Sequence, residues 1–231
     1  MKKHSLLTTL VFFLGISFGT FAQSKDELKL KSFFNEGKFD KCDQLCEKLE
    51  KKSKGDALAT VHLYSALSNL GMANDEFYTN SGLKKPIRTV SVRIGKYQKI
   101  ASDSARVNNA ELEGTVLRAL HNVIVNKLEV KQYSDAKYLA DKLSAYDSTN
   151  VGAALVLDFI NLIDGGKAEN RFDAFYLKGQ EVLPRQKMFF VDVAVIYAAW
   201  LTKEGKSDSA ADLANKVVGL VGDNELLEIF R

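Results

Sequence analysis

Proline is almost missing from this 231-residue chain: Pro86 and Pro184 are its only two. So scarce a helix breaker, beside abundant Ala, Leu and Lys, suits an all-helical protein. Cysteine is as rare. Cys42 and Cys46 are too few for a disulfide scaffold and form neither a CxxC motif nor a metal cluster. Four apart on a helix, their Cβ atoms stand farther apart than a disulfide tolerates, and both fall on the apolar face. Core packing as small hydrophobes is the expectation, with a redox pair as the sharper alternative. Signature motifs are absent too. No HExxH, GxSxG, phosphate loop or dinucleotide fingerprint occurs, and Asp164-Gly165-Gly166-Lys167 lacks phosphate-loop spacing. Beyond the N-terminus the histidines are His62 and His121, each without Cys, His or paired-carboxylate company. Each is expected to be a satisfied, partly buried ring, and neither a metal nor a cofactor is expected. An enzyme is therefore not the expectation.

Long apolar runs are limited to the N-terminus. Lys2 and Lys3 precede an apolar stretch, Leu6–Phe18, and Thr20 and Ala22 are small residues at the places a signal peptidase reads. A secretory signal peptide over 1–22, cleaved after Ala22, is expected, with a retained anchor as the alternative. The remaining chain, 23–231, is expected to form one helical-repeat domain, periplasmic or secreted, with no stable membrane span. A strong net charge is also lacking. The whole chain carries +3, and without Lys2 and Lys3 its 30 basic groups nearly balance 29 acidic ones.

What is present is periodicity. Cys42, Leu45, Cys46 and Leu49 fall on one helical face, as do Val61, Tyr64, Leu67 and Leu70, and Phe189, Val193, Ile196, Tyr197 and Trp200. Helices are predicted near 25–36, 40–52, 56–71, 86–101, 105–129, 134–146, 150–164, 171–183, 187–203, 207–221 and 224–230, with a loop over 73–85. Thr89–Ile94 also alternates like a strand. Pro86 suits a first helical position and no partner strand is in sight, so a helix is expected there. Four stretches share one pattern: Gly37–Leu49, Lys131–Leu143, Asn170–Val182 and Gly205–Val217. Each opens with a turn-like pair and then places apolar or small residues at its sixth, tenth and thirteenth positions. The last three starts are 39 and 35 residues apart. A degenerate repeat of that period signals stacked helix pairs, because one pair alone cannot bury its apolar face.

The second-helix signature of this pattern is carried by Ala136, Ala140 and Leu143, and by Ala210, Ala214 and Val217. Cys42, Cys46 and Leu49 fill the same places, and Phe175, Gly179 and Val182 fill them less well. In these residues the chain resembles the tetratricopeptide repeat family. The usual closing proline is absent, and Trp200 comes too late to be the early first-helix tryptophan. The resemblance implies an all-α, right-handed α-solenoid of about five to six antiparallel helix pairs, with units best matched at 25–52, 109–146, 150–183 and 187–221. It implies a non-enzymatic protein–protein interaction adaptor, with an envelope or extracellular protein as partner. The Lys and Asn clamp by which some members grip acidic C-termini is absent, since the corresponding positions include His121, Val125, Val195 and Ala199. In such a stack the first helices line the binding wall, which places Arg118, His121 and Asp192 there.

One charge feature stands apart. Between Lys84 and Arg106 seven basic residues face a single acid, Asp103. On a helix, Arg88, Lys96 and Lys99 lie opposite the Ile87–Val90–Ile94–Tyr97 face. This stripe offers a second function, binding of an anionic glycan or lipid surface through a basic helix at 84–106. A solvated face paired with acidic neighbours is the plainer reading. Nucleic acid is not expected, because no aromatic stacking motif accompanies the charge.

Overall fold

The structure is a computed structural model and describes residues 25–73, 86–166, 171–179, 182–222 and 230. The expected leader, nearly all of the loop at 73–85, Lys84, Lys85 and most of the helix expected at 224–230 lie outside the described residues. Among the described residues all regular structure is helical and no strand occurs. No helix among them is long and apolar enough to cross a membrane.

The chain divides into two compact units at Glu113/Gly114. Unit 1 holds α1 (Lys25–Asn35), α2 (Phe39–Glu50), α3 (Gly55–Ala73), α4 (Pro86–Ile100), α5 (Asp103–Asn108) and the first turn of α6 (Ala110–Glu129). Its centre is α3, which packs against α1, α2 and α4 and buries residues all round, including Leu63, Ser65, Leu67 and Ser68. A helix without a polar face has to lie inside. Thr89–Ile94 belongs to α4, whose Val90, Ile94 and Tyr97 are buried on one helical face. The expected helix over 105–129 is two helices. Asn109, at φ −112° and ψ 12°, leaves helical geometry between them, and its side-chain amide joins its own backbone N–H on the Ala105 carbonyl, at 2.8 and 3.0 Å.

Unit 2 holds the rest of α6, then α7 (Tyr133–Tyr146), α8 (Val151–Ile163), α9 (Arg171–Leu177), α10 (Pro184–Lys203) and α11 (Ser207–Val221). Here α8 is the centre. Every residue from Val151 to Ile160 is buried, and Asn150 caps it by accepting from the Ala153 amide at 2.9 Å. It packs against its neighbours α7 and α9 and also against α10, the first helix of the next pair. A helix that touches both its hairpin partner and the next pair is the packing unit of a helical-repeat fold. The helix expected over 171–183 ends at Leu177, with Gly179 in the left-handed region at φ +58°.

A recurring turn sets the register. Gly37, Lys131, Gly165 and Gly205 all have φ between +60° and +75°. In each case the next residue's amide reaches back five positions: Lys38 to Phe33, Gln132 to Lys127, Gly166 to Asn161 and Lys206 to Leu201, all at 2.8–2.9 Å. This double-bonded helix ending satisfies carbonyls the helix leaves open. The turn at Gly165 stands 34 residues after Lys131, and the Asn170 start of the sequence pattern lies outside the described residues. Lys131 is the one position of the four with a Cβ, which the left-handed region disfavours by ~1 kcal/mol. Lys131→Gly is expected to raise the urea midpoint of unit 2 by a gain of about that size.

Two glycines mark close helix approaches. A Cβ on Gly152 would lie 2.5 Å from Phe189 Cδ1, and one on Gly71 2.6 Å from Phe39 Cδ2. Phe189 is buried, and Phe39 is packed on Phe34 with ring centroids 5.8 Å apart. Gly152→Ala and Gly71→Ala are each expected to cost ~1–3 kcal/mol by overpacking. A loss under ~0.5 kcal/mol for either in denaturant titrations would contradict the close approach.

Candidate functional site

An open cleft of about 400 Å³ lies wholly within unit 2. Its walls come from four consecutive helices. The central α8 supplies Leu155, Asp158 and Leu162, α9 supplies Phe172 and Asp173, α10 supplies Tyr197 and Leu201, and α11 supplies Asp212, Leu213 and Lys216. Lys206, in the turn before α11, and Ser209, in the first turn of α11, complete the rim. Leu155, Asp158 and Leu162 share one face because they stand three and four apart on α8.

The polar groups of the cleft are organised. Asp158 is only 4% exposed, and its Oδ2 accepts the Phe172 backbone amide at 2.8 Å, which ties the start of α9 onto α8. Lys216 bridges two carboxylates, donating to Asp212 at 2.8 Å and to Asp173 at 2.9 Å. Those hydrogen bonds, Asp212 first, push its ammonium above the ordinary lysine range. Burial, then the charges of Asp158 and Asp173, push the Tyr197 hydroxyl up as well. Behind the cleft Tyr197, Phe159 and Trp200 form an aromatic cluster, with Tyr197 stacked on Phe159 at 4.8 Å. The lining residues include no His or Cys, and among the described residues no group of three or more His, Cys, Asp or Glu is placed to hold a metal. What this arrangement offers is shape, apolar wall and charge of both signs.

The residues expected from the sequence fall elsewhere. Arg118 is exposed on α6, with Thr115 Oγ1 at 3.3 Å, and Asp192 is exposed on α10, its carboxyl raised by burial and then by the charge of Glu129. His121 is not on an accessible wall. It is 5% exposed, stacked face to face on Phe189 at 4.2 Å with planes 2° apart. Nor is it the satisfied ring expected, since its Nε2 has no hydrogen-bond partner among the described residues. Burial holds it down to about 4, with Asp147 opposing.

The basic stripe is real but partly spent. Arg88 is half-buried on α4, and Lys96 and Lys99 are exposed. Lys96 and the intervening Arg93 converge on Glu50 of α2 at 2.9 and 2.7 Å. Burial alone would raise the Glu50 carboxyl, but those two hydrogen bonds bring it down to about 2. Arg106 donates to the Gln98 carbonyl. Reversing Lys96 to Glu would therefore set it against Glu50, at a cost of up to ~1 kcal/mol, which the sequence alone gives no reason to expect. Cys42 and Cys46 are unbridged and buried. The hydrogen bond with Cys42, then burial, push the Cys46 thiol well up, and the same hydrogen bond draws the Cys42 thiol down.

The sequence reading passed over the cleft. One signal was present: Asp158 is the single charged residue in Val151–Ile163, where Asn161 is the only other polar side chain. A lone acid in a buried helix marks a polar purpose. The other lining residues are ordinary Asp, Lys and Leu until the helices bring them together. Comparison with protein-family models, with curated proteins and with solved structures finds no match to this chain.

Proposed function

We propose that this chain is a non-enzymatic protein–protein interaction adaptor of the helical-repeat kind, exported to the periplasm or beyond, which holds an extended segment of an envelope or extracellular protein in the α8–α11 cleft. The observation that carries the proposal is the cleft itself. Its volume of about 400 Å³ is at the scale of a few peptide side chains, and it combines Leu155, Leu162, Leu201 and Leu213 with paired charges at the rim. Apolar walls supply affinity and rim charges supply register. The recurrent turns at Lys131, Gly165 and Gly205 support the repeat reading on which this rests. The anionic-surface alternative is the weaker one, because Glu50 already neutralises part of the stripe.

The test is affinity capture from envelope extract with three forms of the exported chain. The unaltered protein should retain a defined partner. Ser209→Trp, at an exposed rim position, fills the cleft with an indole and should lose that partner while keeping its helical circular dichroism. Arg88→Glu with Lys99→Glu should keep it. Loss from the second variant and retention by the first would overturn the proposal in favour of the stripe.

A further inference from the structure

One wall of the cleft is held differently from the rest. Of the seven residues of α9 only Phe172 is buried, whereas α8, α10 and α11 bury ten, seven and five. Phe172 fixes the first turn. Its ring packs on Phe190 of α10 with centroids 5.7 Å apart, and its backbone amide donates to the buried Asp158 Oδ2 at 2.8 Å. The far end has no such anchor in the core. Leu177 is 82% exposed, and Gly179 beyond it has open space where a Cβ would stand.

What reaches the far end is Lys216 of α11. Its ammonium donates to Asp173 Oδ1 at 2.9 Å and lies 5.9 Å from the centroid of the Tyr176 ring. Asp173 and Tyr176 are three apart and share one face of α9. Asp212, one turn back on α11, steadies the same ammonium at 2.8 Å. The bridge to Asp173 is reached by water, its side chains being 24% and 40% exposed. Such a tie contributes far less than a buried apolar face. A segment with one buried residue and water-reached polar ties opens at lower free energy than the helices it leans on.

We propose that α9 is a movable wall of the cleft, pivoting on Phe172 and latched to α11 by Lys216, and that release of the latch widens the mouth for an incoming segment. The widening rests on the peptide-binding reading above. The other walls stay in place as α9 swings, because α8 packs directly on α10 and α10 directly on α11. The leucines of those walls are then uncovered along their length while Phe172 stays seated.

Amide hydrogen exchange of the full chain, resolved by residue in NMR spectra, tests the wall without any partner. The amides of Phe175 to Lys178 are expected to exchange at least about tenfold faster than those of Phe172 and of Leu155 to Phe159, since a pivot leaves the seated end protected. Lys216→Gln and Asp173→Asn should each speed Phe175 to Lys178 roughly fivefold further, the span of one partly shielded ion pair, and leave Phe172 and α8 unchanged. Asp212→Asn, which keeps the bond to Asp173, should leave α9 unchanged. Raising salt to ~0.5 M should speed α9 in the unaltered chain and not in Lys216→Gln. One common rate for Phe172 and Phe175 to Lys178 overturns the pivot, and equal rates in Lys216→Gln and the unaltered chain overturn the latch. Cross-linking from a photo-activatable residue at Ser209 then reads the widening: the adduct should form faster in Lys216→Gln, and an equal or slower rate overturns it. Absence of an adduct from both forms defeats the peptide-binding reading and the widening with it, while the exchange pattern still decides whether α9 is a latched wall.

Discussion

Phe189→Ala should cost unit 2 roughly 3–5 kcal/mol, the loss typical of a buried aromatic ring. Phe189 is 3% exposed and sits where three helices meet. Its ring stacks on His121 of α6 at 4.2 Å, and it presses against Gly152 of α8 so closely that no Cβ fits there. Truncation leaves a cavity that neither neighbour can fill, because Gly152 has no side chain and His121 is held by its own helix. Trp200 fluorescence during urea unfolding reads the loss directly, as unit 2 contains the only tryptophan. A loss under ~1 kcal/mol would show that the ring is not at the junction described.

Mild acid should weaken both units. His62 in unit 1 and His121 in unit 2 are buried, and burial, first among the causes, lowers each from an ordinary value of 6.5 to about 4. At His62 the Arg93 guanidinium, 3.2 Å from Nδ1, adds to the effect. The unfolded chain therefore takes up protons before the folded one does. Stability is full above pH 6.5 and falls as pH drops toward about 4, by on the order of 3 kcal/mol for each histidine. Between pH 6.5 and 5 the histidines dominate, because the stability Glu50 contributes is lost only below its ordinary value of 4.5 and down to about 2. His121→Phe should flatten the slope of unit 2 in that window. It should also leave stability at pH 7 unchanged or improved, since it removes a buried nitrogen with no hydrogen-bond partner among the described residues. An unchanged slope in His121→Phe would contradict the assignment.

The helical class was legible because periodicity, proline scarcity and turn residues agree, and most predicted helix limits lie within a few residues of those observed. One break was not: the helix predicted over 105–129 reads as continuous, yet Asn109 leaves helical geometry between α5 and α6, which apolar spacing does not register. The turn at Gly165 was legible in its two adjacent glycines. The sites were harder still. His121 has the spacing of a first-helix wall residue, but whether that wall is open depends on Phe189, 68 positions later. The stripe's charge is visible in the sequence, but Glu50, which pairs with Arg93 and Lys96, is more than forty residues away. Of the cleft, only the lone Asp158 in an apolar helix announces itself.

The central claim is that the partner sits in the α8–α11 cleft. The most direct measurement places a photo-activatable cross-linking residue at Ser209 on the cleft rim and, in a separate variant, at Lys99 on α4, and irradiates the producing cells. The account predicts one discrete adduct to another protein from position 209 and none from position 99. An adduct from position 99 with nothing from position 209 would contradict it.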